Sequence, residues 1–114
     1  MKWLFPFLLV LVSACKSDKI AIPDDILKPD EMKVIFTDIH VADAVAEVKG
    51  QEGMDEKLLT LEYHAQVFKN HGTSRPEFLK SLKFYEANPK LMDEVYADVL
   101  NELTRREAEA GKGN

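Results

Sequence analysis

His40, Asp43 and Glu47 stand three and four residues apart, the spacing that aligns side chains along one edge of a helix. An imidazole beside two carboxylates can relay protons or, with a further donor, hold a metal ion. His64, in the next periodic segment, is placed to face them. Asp43 also projects within about 40° of Met32, Phe36 and Ile39, near the middle of an apolar stripe. A carboxylate there must be paired, hydrogen-bonded or protonated, because burying it bare is costly. Three uses stand open: a metal or proton-transfer site, a ligand pocket with a polar cluster in an apolar wall, or a polar network that fixes helix register. The network is the plainest of the three. It predicts that removing His40 or Asp43 lowers thermal stability appreciably. His64 and His71, seven apart across Phe68, could line one helix face, although a solvated edge explains them more simply.

Other catalytic patterns are missing from the chain. It has no His-Glu-x-x-His, no Gly-x-Ser-x-Gly and no glycine-rich phosphate loop. The paired Glu-x-x-His segments of a helical di-iron centre are missing too. Ser74 reads as a helix cap and Ser81 as a helix-face residue. The chain therefore reads as non-catalytic, with no cofactor and no metal required. A metal-dependent enzyme using the His40 and Asp43 edge is the alternative.

Cys15, the only cysteine, follows a charged start at Lys2, an apolar run from Trp3 to Val12, and the small residues Ser13 and Ala14. Narrow side chains before a cut suit a signal-peptidase cleft. The run is too short for a membrane span, which takes about 20 apolar residues. This order resembles the lipobox of bacterial lipoproteins. The resemblance implies cleavage between Ala14 and Cys15, acylation of the thiol, and Cys15 as the mature N-terminus. Anchoring to a membrane through that lipid would follow, firmly so with two or more chains. The periplasmic face of the outer membrane is the expected location, and the cell surface the alternative. No internal disulfide or thiolate metal site can form from one cysteine.

Residues 1–14 are thus read as a leader, 15–28 as a lipidated N-terminus and arm, 29–110 as a helical domain and 111–114 as a frayed tail. The whole chain carries 15 basic and 20 acidic residues. The mature part keeps 14 and 20, a net charge of −6, which opposes nucleic-acid binding and adhesion to an anionic bilayer beyond the lipid itself. In the arm, Pro23 to Leu27 predicts one helical turn lying on the domain.

Beyond the arm the apolar period is helical throughout. Pro29, Asp30 and Glu31 open a first helix whose stripe is Met32, Ile35, Phe36, Ile39, Ala42 and Ala46, ending near Val48, with Gly50 and Gly53 as punctuation. Val41, Val45 and Val48 sit inside that pattern without a strand-like alternation. Met54, Leu58, Leu61, Ala65 and Phe68 form the stripe of a second helix stopped by Gly72. Ser74 and Glu77 read as a capping box for a third helix carrying Phe78, Leu82 and Tyr85. Asn88-Pro89 opens a fourth with Met92, Val95, Tyr96, Val99 and Leu103. Glu102 and Arg106 form an i,i+4 pair of the favoured order. Leu79, Phe84, Tyr63 and Val67 fall off their stripes, which predicts an extra packing surface for the arm or for a partner protein. The expected fold is all-α, a small bundle of about four helices.

Pro23, Ile26, Pro29 and Met32, followed by Asp38-Ile39-His40-Val41-Ala42-Asp43-Ala44, resemble the first block of domain of unknown function 4296. That family comprises small helical lipoproteins of Gram-negative bacteria. Phe68 to Gly72, Glu77-Phe78, Ser81-Leu82, Phe84-Tyr85 and Asn88-Pro89 are similar to its second block, extended by Tyr96 and Leu103. Asp43 stands where the family tends toward glutamate. The resemblance implies a helical fold and carries no catalytic residues. The activity it implies is unknown; the leading expectation for the chain as a whole is a lipid-anchored envelope protein that binds or scaffolds a partner protein. The second half is also similar to the helical N-terminal domains of periplasmic folding chaperones, so a chaperone-like module for outer-membrane clients is the second expectation.

Overall fold

The four periodic segments are four α-helices in the computed structural model, which describes residues 20–112. They are α1 (Pro29–Gln51), α2 (Glu56–Asn70), α3 (Arg75–Glu86) and α4 (Pro89–Lys112). No strand occurs among the described residues. The leader, the Ala14–Cys15 cleavage site and the lipidation site lie outside the described residues, as do the last two residues.

Local chemistry explains most of the boundaries. α1 begins at Pro29 with Asp30 and Glu31 in its first turn, as expected. It runs past Val48 and through Gly50, which is no stop signal. A Cβ at Gly50 would stand 2.8 Å from the Cβ of Glu56, so the absent side chain lets α2 come close. The chain reverses instead at Gly53, whose φ is +96°. Asp55 then caps α2, its carboxylate accepting from the Leu58 amide at 3.1 Å. Gly72 stops α2 at φ +67°, with the Thr73 amide donating to the Phe68 carbonyl at 2.9 Å.

Two expected caps differ in detail. Ser74 accepts from the Glu77 amide at 3.3 Å, but Glu77 spends its carboxylate on the Thr73 hydroxyl at 2.9 Å. Only half of a capping box forms. Asn88 turns its amide back to donate to the Phe84 carbonyl at 2.7 Å, closing the end of α3. At the other end, α4 stays helical to Lys112, beyond the tail boundary expected at Ala110.

α1 is the spine, packing on α2 along one side and on α4 along another. Met32, Ile35, Phe36, Ile39, Ala42 and Ala46 are all buried, the stripe that periodicity indicates. Phe36 meets Phe78 edge-on at 5.3 Å, and Phe78 meets Phe68 at 5.2 Å, joining α1, α2 and α3. Val95 and Val99 bring in α4. Each large apolar side chain so buried stabilises the fold by roughly 1.5–3 kcal/mol.

α2 presents a different face from the expected one. Of its supposed stripe only Phe68 is buried; Met54, Leu58, Leu61 and Ala65 are exposed. Tyr63, His64 and Val67 turn inward beside Phe68. The helix carries apolar residues on two sides, and periodicity alone does not say which side meets α1.

The arm folds back onto α3. A turn closed by the Ile26 amide on the Pro23 carbonyl at 3.1 Å lays Ile26 and Leu27 into the core. Ser81 donates to the Glu77 carbonyl of its own helix and accepts from the Leu27 amide at 2.9 Å, and the Tyr85 hydroxyl donates to the Leu27 carbonyl at 2.7 Å. Both side chains are fully buried. An ion pair between Lys80 and Asp25 closes the outer side. Phe84 is half-buried against this core, while Leu79 remains exposed.

Candidate functional site

α1 carries small residues at four-residue steps, Ala42, Ala46 and Gly50, and that ridge is where α2 approaches. The buried stripe is therefore centred closer to Ala42 and Ala46 than to Phe36. Asp43, one position round from Ala42, falls on the rim with its side chain 48% exposed. The expectation of a buried carboxylate is overturned for this reason. Asp43 Oδ1 lies 2.5 Å from His64 Nε2, so the cross-helix pairing of these two residues does form.

The wider edge of His40, Asp43 and Glu47 does not form. His40 turns the other way, its ring stacking on Phe36 at 6.4 Å and meeting Tyr96 of α4 edge-on at 6.3 Å. Glu47 is exposed. The set divides because Asp43 pairs with His64 of α2 whereas His40 packs on Tyr96 of α4. Among the described residues no three His, Cys, Asp or Glu side chains converge to hold a metal ion.

A second histidine–aspartate pair lies farther along the same hairpin. His71 Nε2 is 2.6 Å from Asp38 Oδ2. Arg106 of α4 reaches Asp38 Oδ1 at 3.5 Å and Glu102 at 3.0 Å. Asp38 thus joins three helices. Arg105 and Arg106 beside Glu102 hold its carboxyl down to about 2, and Glu102 in turn holds the Arg105 guanidinium above its ordinary value. His71, the residue that closes α2, is exposed as a solvated edge would have it, yet its ring reaches back to Asp38 of α1. The seven-residue spacing from His64 is the signal in the sequence that relates the two pairs. Closer to the hairpin turn, beyond the His64–Asp43 pair, Lys49 donates to the Tyr63 hydroxyl at 2.8 Å.

These pairs are partly exposed and link α1 to its neighbouring helices. The larger feature is an apolar groove on the outer side of α1. Val41, Ala44, Val45 and Val48 form its floor, Leu103 of α4 its foot, and His40, Lys49 and Glu52 its rim. Its volume is about 630 Å³. Val41, Val45 and Val48 are 38–54% exposed. Together with the buried stripe opposite, they make α1 apolar on two faces.

The family model described as Domain of unknown function (DUF4296) matches residues 23–109. The chain belongs to that family. No curated protein and no solved structure shows significant similarity to it. The match to DUF4296 begins at Pro23, where the arm turns onto α3, and runs through the buried Ser81 and Tyr85. The arm from Pro23 onward is thus part of the DUF4296 unit.

Proposed function

We propose that the protein is a lipid-anchored, non-catalytic envelope component that binds an amphipathic helix of a partner protein in the α1–α4 groove. The single observation that carries this reading is the valine-floored groove, apolar and open on a domain whose core is already filled by the opposite face of α1. Residues 29–74 and 91–114, which supply the groove and its surroundings, carry 7 basic and 15 acidic side chains. A partner helix with an apolar stripe and basic flanks complements that surface. Anchoring rests on the lipobox resemblance at Cys15.

A photoreactive residue placed at Val45 in living cells tests the binding site. It should give one discrete adduct, and the same residue at Glu62 on α2 should not. Val45→Asp should abolish phenotype while leaving the melting temperature within about 1 °C, since surface changes are usually nearly neutral. Full phenotype in a folded Val45→Asp variant would sink the proposal.

A further inference from the structure

The overall negative charge opposes contact with an anionic membrane, yet the charge is unevenly distributed. Residues 16–28 and 75–90, the arm with α3, hold 7 basic and 5 acidic side chains. The rest of the mature chain, with 7 basic and 15 acidic side chains, holds all of the acidic excess. The positive end is also where the chain leads toward Cys15. Five residue steps separate Cys15 from Ile20, a reach of at most about 18 Å. The Leu27 backbone is gripped by Ser81 and Tyr85, and Asp25 is paired with Lys80. An anchor at Cys15, at most ten residue steps or about 36 Å from Asp25, therefore tethers the α3 end of the domain to the bilayer.

The outer face of α3 has the chemistry of such a contact. Leu79, Lys80, Leu82, Lys83 and Glu86 line a shallow depression of about 580 Å³, and Leu79 is 48% exposed. Leu79 offers apolar surface to acyl chains and Lys83 an ammonium group to phosphates, while Leu82 packs inward and Lys80 is shared with Asp25. We infer that this face of α3 rests on an anionic lipid surface, the leaflet that holds the Cys15 anchor, and so directs the acidic groove away from the membrane. The inference rests on the anchoring reading.

The test uses the full acylated protein in vesicles, either of phosphatidylcholine alone or with phosphatidylglycerol added, and a quencher at headgroup depth. A fluorophore on Glu86→Cys should be quenched in anionic vesicles, and one on Val45→Cys should not. Adding Lys83→Glu should lower the docked-to-free ratio at least about fivefold, as expected when a lysine near an anionic surface is lost. Circular dichroism checks that each variant stays folded. Equal quenching at both positions, or quenching indifferent to anionic lipid, would overturn the inference while leaving the anchor intact. A native mass showing an unmodified Cys15 would overturn both.

Discussion

Where the arm meets α3, two side chains with no solvent exposure grip the backbone of a single residue, Leu27. Where α1 meets α2, two histidine–aspartate pairs sit at a rim with carboxylates 35% and 48% exposed. The grip on Leu27 is neutral and dry, while the rim pairs are polar and wet. A buried peptide group that loses its partner is left unsatisfied, at a cost of about 1–3 kcal/mol. An exposed ion pair that is broken simply rehydrates, and is worth about 0–1 kcal/mol. The polar contacts that matter most to stability are therefore the uncharged ones on the Leu27 backbone.

Substitutions can break that comparison, beginning with the largest. Tyr85→Ala removes a buried ring as well as the hydroxyl and should cost about 3–5 kcal/mol by chemical denaturation. Tyr85→Phe retains the ring and strands only the Leu27 carbonyl, so its loss should be about 1–3 kcal/mol, with Ser81→Ala similar. Asp38→Asn, which weakens links to both His71 and Arg106, should cost about 1 kcal/mol or less. Asp43→Asn should cost less again, about 0.5 kcal/mol. That is far below the loss expected had Asp43 been buried, and a large drop for Asp43→Asn would reverse the ranking of the joints.

Titration sharpens the contrast at its two ends. Burial pushes the Tyr85 hydroxyl up to about 12. A folded-state value above the unfolded one means this contribution is complete below about pH 10 and is lost as pH rises through about 12. Glu102 behaves oppositely, with its value held down to about 2 by the arginines. Its contribution is present above about pH 4.5 and disappears as pH falls through about 2. Alkali should thus free the arm first, seen as faster amide exchange at Leu27, and Tyr85→Phe should remove that alkaline step. Acid should loosen the far half of α4, read from amide exchange around Glu102.

The helices were legible because their signals are local. Pro29, Ser74 and Gly72 act within one turn of themselves, and the stripe on α1 is unambiguous at its large residues. What sequence reading missed depended on which neighbour came close. Ala42, Ala46 and Gly50 are ordinary residues until α2 uses them as a ridge, and that choice puts Asp43 on the rim. The two apolar sides of α2 are equivalent until α1 selects one. Ser81 gave no sign of importance beyond its place between Phe78 and Tyr85, because its partner is the backbone of a residue far away in the chain.

That separation has a consequence for biogenesis. The hydrogen bonds from the arm to α3 span 54 and 58 positions, so the docking site does not exist when Leu27 leaves the ribosome. Ile26 and Leu27 must wait, uncovered, through the synthesis of two intervening helices. Closure of the arm is a late event in maturation, possible only once α3 has formed.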